Sequence, residues 1–217
     1  MKLFNPVFVS LFSFFIFVSN LEAQGNIEGG LYTEYSQFGY YGQFAAGGVL
    51  YIPWKDRFTL NYEACIGRQN NRGFYAHAPA GALSGAYLIG QASGVTFLNY
   101  LGVLLFLVPE GVGMYVTEGK ISTHISVNPL GFDYWYKRDP YDETGCLSGS
   151  IVFRLKMPLQ GYSWPLFVAP QVAVTWLYGN SDPVGNPGLR AGVCIGFDAK
   201  NNPFRDDPFL DDPVLRH

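Results

Sequence analysis

Apolar and polar side chains alternate along most of this chain, from Tyr32 to Lys200, and a period of two residues is the signature of β-strands. Between residues 58 and 67 one face of the pattern reads Phe, Leu, Tyr, Ala, Ile, and the other reads Thr, Asn, Glu, Cys, Gly. The same alternation returns at 147–157 and at 189–198. A pattern of this length predicts an all-β protein whose strands each have one apolar face and one polar or small face.

The composition excludes several classes of protein. Among 217 residues, 15 Tyr, 18 Phe and 4 Trp make the chain rich in aromatics, whereas charged residues make up only 14%. Intrinsic disorder needs the opposite balance, and a nucleic-acid-binding protein needs an excess of basic residues, which a net charge of −3 does not provide. The length is that of one domain with a sizeable core.

Residues 1–23 have the organisation of a secretory signal peptide. Lys2 provides a positive start, residues 7–18 are almost all apolar, and a cleavage site is predicted before Gln24. The alternative is an uncleaved anchor helix, but the apolar run is short for a bilayer span. We therefore expect a signal peptide at 1–23, a folded domain at 24–199 and a Pro/Phe/Asp-rich tail at 200–217.

Cysteine usage and short motifs give no sign of a cofactor. Cys65, Cys146 and Cys194 are odd in number and widely spaced, so they predict neither a disulfide framework nor a zinc site. We interpret them as small apolar side chains within the fold. The chain has no phosphate-binding loop, HExxH or GxSxG motif, so no cofactor and no metal site are predicted.

The apolar faces of the strands could point into a soluble lipid-binding barrel or outward to lipid, as in an outer-membrane barrel. Trp164 and Trp176 share one face of a predicted strand, twelve residues apart, or roughly 40 Å at about 3.3 Å per residue. At a tilt of about 45° they span roughly 28 Å of depth, close to the apolar band of about 25 Å in membrane barrels. The opposite faces are mostly Ser, Thr, Gly and Ala with few charges, which suits a narrow lumen. Both observations favour a barrel whose apolar faces point outward to lipid.

Counting the alternating segments predicts an antiparallel up-and-down transmembrane β-barrel of about eight strands, with short turns at one end and longer outer loops at the other. Seven strands are placed at 29–41, 42–53, 57–69, 121–137, 145–158, 163–178 and 187–199, with outer loops at 69–82, 138–145 and 179–188. Strand four must lie between 82 and 118. The apolar run Thr96–Val108 could be this strand, or a short helix near 94–108 that leaves Val112–Val116 as a short strand.

These features resemble the small eight-stranded outer-membrane β-barrel proteins of Gram-negative bacteria. The resemblance covers about residues 29–199 and rests on the signal peptide, the alternating strands, the Trp164/Trp176 pair and the aromatic Phe197 at the end of the last strand. It implies a monomer in the cell outer membrane, with outer-membrane lipids, lipopolysaccharide and the barrel insertion machinery as partners. The chain departs from the family by continuing past Phe197, and the Pro-rich residues 200–217 are expected to form an extended periplasmic tail.

Eight strands enclose an interior that side chains just fill, so no open pore is predicted. On the predicted register, five charged residues point inward, and we expect them to pair with one another. They are Glu63, Arg154, Lys156, Arg190 and Asp198. A proton or ion path is the alternative role for the same residues.

His124 and Ser126 are the sharpest candidate for a catalytic pair, because their i, i+2 spacing puts imidazole and hydroxyl on one face of a strand, with Asn128 next on that face. The arrangement is similar to the His-x-Ser-Asn motif of outer-membrane lipid A deacylases, in which the His activates the Ser for attack on an ester. It departs from that motif because the Asn comes one residue later and no later Glu matches the orienting acid. His77 is predicted to lie alone in an outer loop, and His217 ends the chain, so we expect neither to pair with a second ligand.

The sequence thus predicts an integral outer-membrane β-barrel with a structural or surface-interaction role and no readable activity. Two alternatives from other classes stay open at this point. One is a lipid A-modifying esterase that uses His124 and Ser126, and the other is a soluble periplasmic lipid-binding barrel.

Overall fold

The computed structural model describes residues 27–39, 41–55, 57–70, 73–91, 96–117, 121–138, 141–159, 166–178 and 187–198. Its strands are β1 (Glu28–Phe38), β2 (Tyr41–Lys55), β3 (Phe58–Gln69), β4 (Phe74–Pro79), β5 (Gly111–Thr117), β6 (Ser122–Arg138), β7 (Tyr141–Pro158), β8 (Leu166–Leu177) and β9 (Gly188–Asp198). Its helices are α1 (Ala80–Gln91) and α2 (Thr96–Phe106). Among the described residues, no helix is long and apolar enough to cross a membrane. The predicted signal peptide, the tail and Trp164 lie outside these residues.

Every strand pairs antiparallel with its neighbours, and the sheet closes on itself. Strand β1 pairs with β2 on one side and with β9 on the other, and β8, β7 and β6 follow β9 in order. The position between β3 and β6 is shared by β4 and β5, each of which pairs with a different part of both neighbours. Nine strands therefore occupy eight positions, and the predicted eight-stranded up-and-down barrel is confirmed.

Strands β4 and β5 are the two halves of one strand position. His77 of β4 lies opposite Cys65 of β3, and Gly111 of β5 lies opposite Asn61. An unbroken antiparallel strand would take four residues to pass between these two partners. The residues that make this step are Ala78, Pro79, Glu110 and Gly111. The thirty residues 80–109, which contain both helices, are thus inserted into the strand without displacing its register against β3, while β6 takes up one extra residue between Gly131 and Val127.

The barrel wall stays continuous across this insertion because the backbone of Glu110 bonds to both neighbouring strands. Its N–H donates to the carbonyl of Asn61 at 2.9 Å, and its carbonyl accepts from the N–H of Leu130 at 3.0 Å. These two bonds connect β3 and β6 through Glu110 at the junction. The two helices therefore form a hairpin, residues 80–106, that is attached to a complete wall.

Predictions for strand four and its surroundings were partly right. The short helix near 94–108 is confirmed as α2, and the short strand at Val112–Val116 is confirmed within β5. Helix α1 was not predicted, since its three Gly residues lower the helix propensity and its apolar side chains have little amphipathic period.

Two of the predicted outer loops are wrong in part. Residues 74–79, assigned to the loop at 69–82, form β4. In the loop predicted at 138–145, β6 and β7 continue until Arg138 pairs with Tyr141. In both places cross-strand pairing outweighs local turn signals such as Pro, Asp and Gly.

The side chains of each strand divide sharply between the two faces of the wall. Leu155 points outward, as do Val172 and Ile195, which are 54% and 58% exposed. The inward positions between them carry polar, charged or small side chains, among them Arg154, which is fully buried. The predicted orientation, with the apolar face of each strand pointing away from the barrel axis, is therefore confirmed.

The three cysteines are free. Cys65 and Cys194 are buried in the barrel interior, and Cys146 is half buried. They pack as small apolar side chains, as the sequence predicted.

Because the insertion leaves the register against β3 unchanged, we expect a chain in which Pro79 is joined directly to Glu110 to fold into the same eight-stranded barrel. Refolding into lipid vesicles, followed by far-ultraviolet circular dichroism and heat-modifiable gel migration, measures this. The matched control deletes residues 80–110. One extra residue is then lost, every side chain of β5 is turned to the opposite face of the wall, and folding should fail. Equal behaviour of the two deletions would show that β4 and β5 do not continue one strand in register.

Candidate functional site

One end of the barrel interior holds a network of four charged side chains. Glu28 accepts from Arg154 at 2.7 Å and from Lys156 at 2.6 Å, and Lys156 also reaches Asp198 at 2.6 Å. The hydroxyl of Tyr115 donates to Glu28 as well. Each cation therefore has a carboxylate partner, as buried charges require.

A second ion network lies further up the interior. Arg190 contacts Glu34 at 3.0 Å and Glu63 at 3.2 Å, and the hydroxyl of Tyr51 donates to Glu63 at 2.9 Å. The guanidinium of Arg154 lies 3.9 Å from the centroid of the Tyr51 ring, which links the two networks by a cation–π contact. Four of the five charges predicted to point inward pair with one another, as Lys156 with Asp198 and Arg190 with Glu63, whereas Arg154 pairs with Glu28, which was not predicted.

Aromatic side chains close the opposite end of the interior. Trp135 donates from Nε1 to Oε1 of Gln43 at 2.8 Å, and its ring packs edge-on against Phe38 with centroids 5.3 Å apart. Tyr75 packs against the same tryptophan at 5.6 Å. All four side chains are buried. Ion pairs and aromatic rings together fill the lumen, as expected for a barrel of eight strands.

A third cluster lies at the base of the helical hairpin, where the chain leaves β4 and returns to β5. His77 stands between two carboxylates, with Nε2 3.2 Å from Glu110 and Nδ1 3.2 Å from Asp133. Tyr75 donates to the same Asp133 oxygen at 2.6 Å, and all four residues are buried. The imidazole thereby joins the two halves of the split strand to β6.

The prediction that His77 lies alone in an outer loop is wrong. Residues 74–79 pair with β3 and β6, and this pairing turns His77 into the lumen. The sequence alone did not reveal the contact between His77 and Glu110, because Glu110 is thirty-three residues further along the chain. A signal for a strand was available at residues 74–78, where Tyr75 and His77 alternate with the apolar residues Phe74, Ala76 and Ala78.

The two predicted catalytic residues lie on the inner face of β6. His124 and Ser126 are 0% and 1% exposed. Nε2 of His124 is 2.8 Å from Oγ1 of Thr59, and its ring packs between Tyr51 and Tyr115 at centroid distances of 5.1 and 4.9 Å. The hydroxyl of Ser126 has no hydrogen-bond partner in the described part of the chain. The i, i+2 spacing therefore brings His124 and Ser126 to the inner face of β6, as predicted. The hydrogen bond of His124, however, is to Thr59 and not to Ser126.

The chemistry of these clusters is that of a closed structural core. Within the described ranges, no group of three or more His, Cys, Asp or Glu side chains converges in a way that could hold a metal ion. At the hairpin base, the imidazole ring separates the two carboxylates and so keeps them from chelating one ion. These contacts can fix the strands relative to one another.

Comparisons with known proteins find likeness in structure alone. No protein-family model matches the chain, and no curated protein matches it. The N-terminal β-barrel domain of Pseudomonas aeruginosa OprF aligns with a TM-score of 0.47 and 11% identity, over 81% of this chain and 99% of that domain. Ail, the attachment invasion locus protein of Yersinia pestis, aligns with a TM-score of 0.40 and 8% identity, over 80% of this chain and 95% of Ail. Neisserial surface protein A aligns with a TM-score of 0.39 and 5% identity, over 79% of this chain and 95% of that protein. Since every score is below 0.5, the fold rests on the strand pairing of this chain itself.

Removal of the histidine at the hairpin base should weaken the barrel. The change His77→Ala leaves the carboxylates of Glu110 and Asp133 buried without the imidazole between them, and breaking a buried pair in this way costs about 3–5 kcal/mol. Urea unfolding of the refolded protein in vesicles measures the free energy of unfolding. Glu143→Ala is the control, since its contact with Tyr134 is exposed. Equal stability of the wild type and the His77 variant would show that the cluster does not support the wall.

Proposed function

We propose that this chain is an integral outer-membrane β-barrel, exported by the signal peptide at 1–23, with a structural or surface-interaction role. The observation that carries the proposal is the reversed burial of the wall, with apolar side chains outside and ion pairs inside. In a water-soluble barrel the exposed face would carry the charges. Lipid is the solvent that suits an apolar exterior, and a closed barrel leaves no unpaired backbone groups in it.

The few exposed charges mark out a band of the right depth for a bilayer. Among the charged side chains that the structure describes, those exposed are Arg57, Arg68 and Glu143, and all three lie near strand ends. Arg57 and Arg68 flank β3 eleven residues apart, which is roughly 36 Å along a strand at about 3.3 Å per residue. At a tilt of about 45° this becomes roughly 26 Å of depth, which matches the apolar band of about 25 Å in outer-membrane barrels.

The filled lumen supports a structural or surface-interaction role over transport. Fully buried Arg154, Tyr51 and Phe38 lie at different heights of the interior, and each is fixed by neighbouring side chains. An ion path would need water or a chain of mobile groups along the axis. The partners that fit such a barrel are outer-membrane lipids and lipopolysaccharide, with the insertion machinery acting during assembly.

The membrane proposal predicts a depth-dependent effect of charge on the outer face of β9. Val193 lies at the middle of this strand and is 44% exposed, so Val193→Arg should lower the free energy of unfolding in vesicles by about 2–4 kcal/mol. The matched control is Leu189→Arg, four residues nearer the strand end on the same face, where the expected cost is about 0–1 kcal/mol.

A soluble periplasmic lipid-binding barrel would respond differently. Both arginines would then face water, and neither substitution would change stability appreciably. Release of the chain from membranes by carbonate washing would favour the same alternative. The polar and charged lumen gives no apolar cavity for a lipid chain in the described residues, so the geometry supports the membrane proposal instead.

Lipid A deacylation by His124 and Ser126 stays a prediction of the sequence. Both groups are buried in the lumen, whereas their neighbours Ile125 and Val127 face outward, where acyl chains would lie. Asn128 is held by Asn61 at 3.1 Å. No contact of these residues favours the esterase over the structural role.

The esterase alternative predicts that Ser126→Ala abolishes lipid A deacylation in cells that produce the protein, while the structural role predicts an unchanged lipid A mass. Mass spectrometry of extracted lipid A distinguishes the two outcomes. The protein level in the membrane fraction serves as the control, because the hydroxyl of Ser126 bonds to no described group and its removal should leave the barrel folded.

A further inference from the structure

The helical hairpin is held together by close backbone contact between its two helices. A Cβ atom added to Gly85 of α1 would lie 2.3 Å from the carbonyl oxygen of Gly102 in α2, and one added to Gly102 would lie 2.9 Å from the carbonyl oxygen of Gly85. Larger residues at either position would push the helices apart. Small residues that let helix backbones touch are the usual means of association for helices in lipid, where the hydrophobic effect does not drive packing.

The outer surface of the hairpin carries no charge, and apart from Ser84 and Gln91 its exposed described side chains are apolar or aromatic. Its exposed large side chains occur on both helices and are Leu83, Tyr87, Phe97, Tyr100, Leu101, Leu104 and Phe106. From Ala78 to Pro109 the sequence has thirty-two residues without a single Asp, Glu, Lys, Arg or His. A helix that meets water on one side has a polar face, and a helix that is apolar all round lies in a protein core or in a membrane. Among the described residues, α1 contacts β4 and β6, but the exposed side chains of both helices show that the barrel does not cover the hairpin.

The base of the hairpin lies near mid-height of the barrel wall. The chain leaves opposite Gly131, near the middle of β6, and returns opposite Asn61 of β3. Asn61 is four residues from Arg57 and seven from Arg68, the exposed charges that bound the apolar band on this strand. Close to this base the hydroxyl of Tyr62, on the outer face of β3, donates to the carbonyl of Leu107 at 2.7 Å. The hairpin therefore begins inside the exposed apolar band of the wall.

We propose that residues 80–106 form an intramembrane hairpin whose exposed side chains contact lipid acyl chains. This inference rests on the proposed membrane location of the barrel. Twelve helical residues extend about 18 Å, and half of the hydrocarbon layer is about 15 Å thick. A hairpin that starts at mid-height thus keeps most of its length in hydrocarbon, whichever way it points. Helices satisfy their own backbone hydrogen bonds, as that environment requires.

Acyl chains fit this surface better than a second copy of the chain does. A protein partner would cover one stripe and leave the remaining side chains to water or lipid, but the exposed apolar residues are distributed around both helices. The apolar surface of the hairpin is also continuous with the apolar outer wall, which the same lipid would cover.

The test compares fluorescent labels at two positions of the protein refolded into phosphatidylcholine–phosphatidylglycerol vesicles. One label is attached at Leu104→Cys on α2 and the other at Val193→Cys on the wall, each in a background with Cys65, Cys146 and Cys194 replaced by Ala. Quenching by nitroxide-labelled lipid reports contact with acyl chains, and quenching by aqueous iodide reports contact with water. We expect lipid to quench both labels strongly and iodide to quench neither.

The two positions separate failure of this inference from failure of the proposed function. A wall label quenched by lipid together with a hairpin label quenched by iodide would overturn the intramembrane hairpin and leave the barrel in the membrane. Iodide quenching at both positions would overturn both proposals. A Leu104 label shielded from both quenchers would mean that protein covers the hairpin, which also overturns the contact with lipid.

A second measurement needs no substitution and so does not depend on folding of the cysteine variants. Chymotrypsin is added to vesicles that hold the unmodified chain, and the fragments are identified by mass spectrometry. Tyr87, Phe97 and Tyr100 are exposed cleavage sites unless the bilayer covers them. Absence of cleavage at these sites, with full cleavage after detergent and urea are added, is expected. Cleavage there in intact vesicles would overturn the proposal.

Discussion

Closure of the backbone hydrogen-bond ladder around eight positions is the constraint on which the rest of this structure depends. The ladder closes between β1 and β9, and it passes the split strand because Glu110 bonds to Asn61 on one side and to Leu130 on the other. A closed ladder has no edge, so every strand can present an apolar outer face without exposing unpaired backbone groups to lipid. The inner face is then free to hold polar groups.

Polar side chains in the interior are tolerated because each cation finds a carboxylate across the lumen. Arg154 and Lys156 converge on Glu28, while Arg190 is shared by Glu34 and Glu63. Arg190 joins β9 to the neighbouring strand β1 through Glu34 and to β3 through Glu63, and the pairs of Glu28 join β1 to β7. In the described residues the lumen is therefore filled by paired side chains.

Much of the barrel could be predicted from the alternation of side chains. Period two identifies the inward set on each strand, and it correctly turned Glu63, Arg154 and Arg190 into the lumen. The cluster at His77 could not be predicted in the same way. Its partners come from β6 and from the far side of a thirty-residue insertion, and no local pattern reports contacts at such separations.

The sequence by itself predicted a barrel and determined which side chains share each face of a strand, because side-chain alternation is a local property of an extended backbone. The tertiary structure decided that the apolar face points outward. Only the tertiary structure decided that β4 and β5 share one position and that a helical hairpin is inserted between them, because register is set by pairing with distant strands. The apolar run at 96–106 is compatible with a strand or a helix when read alone. The eight positions of the closed wall leave no place for it, so it folds as a helix outside the ladder.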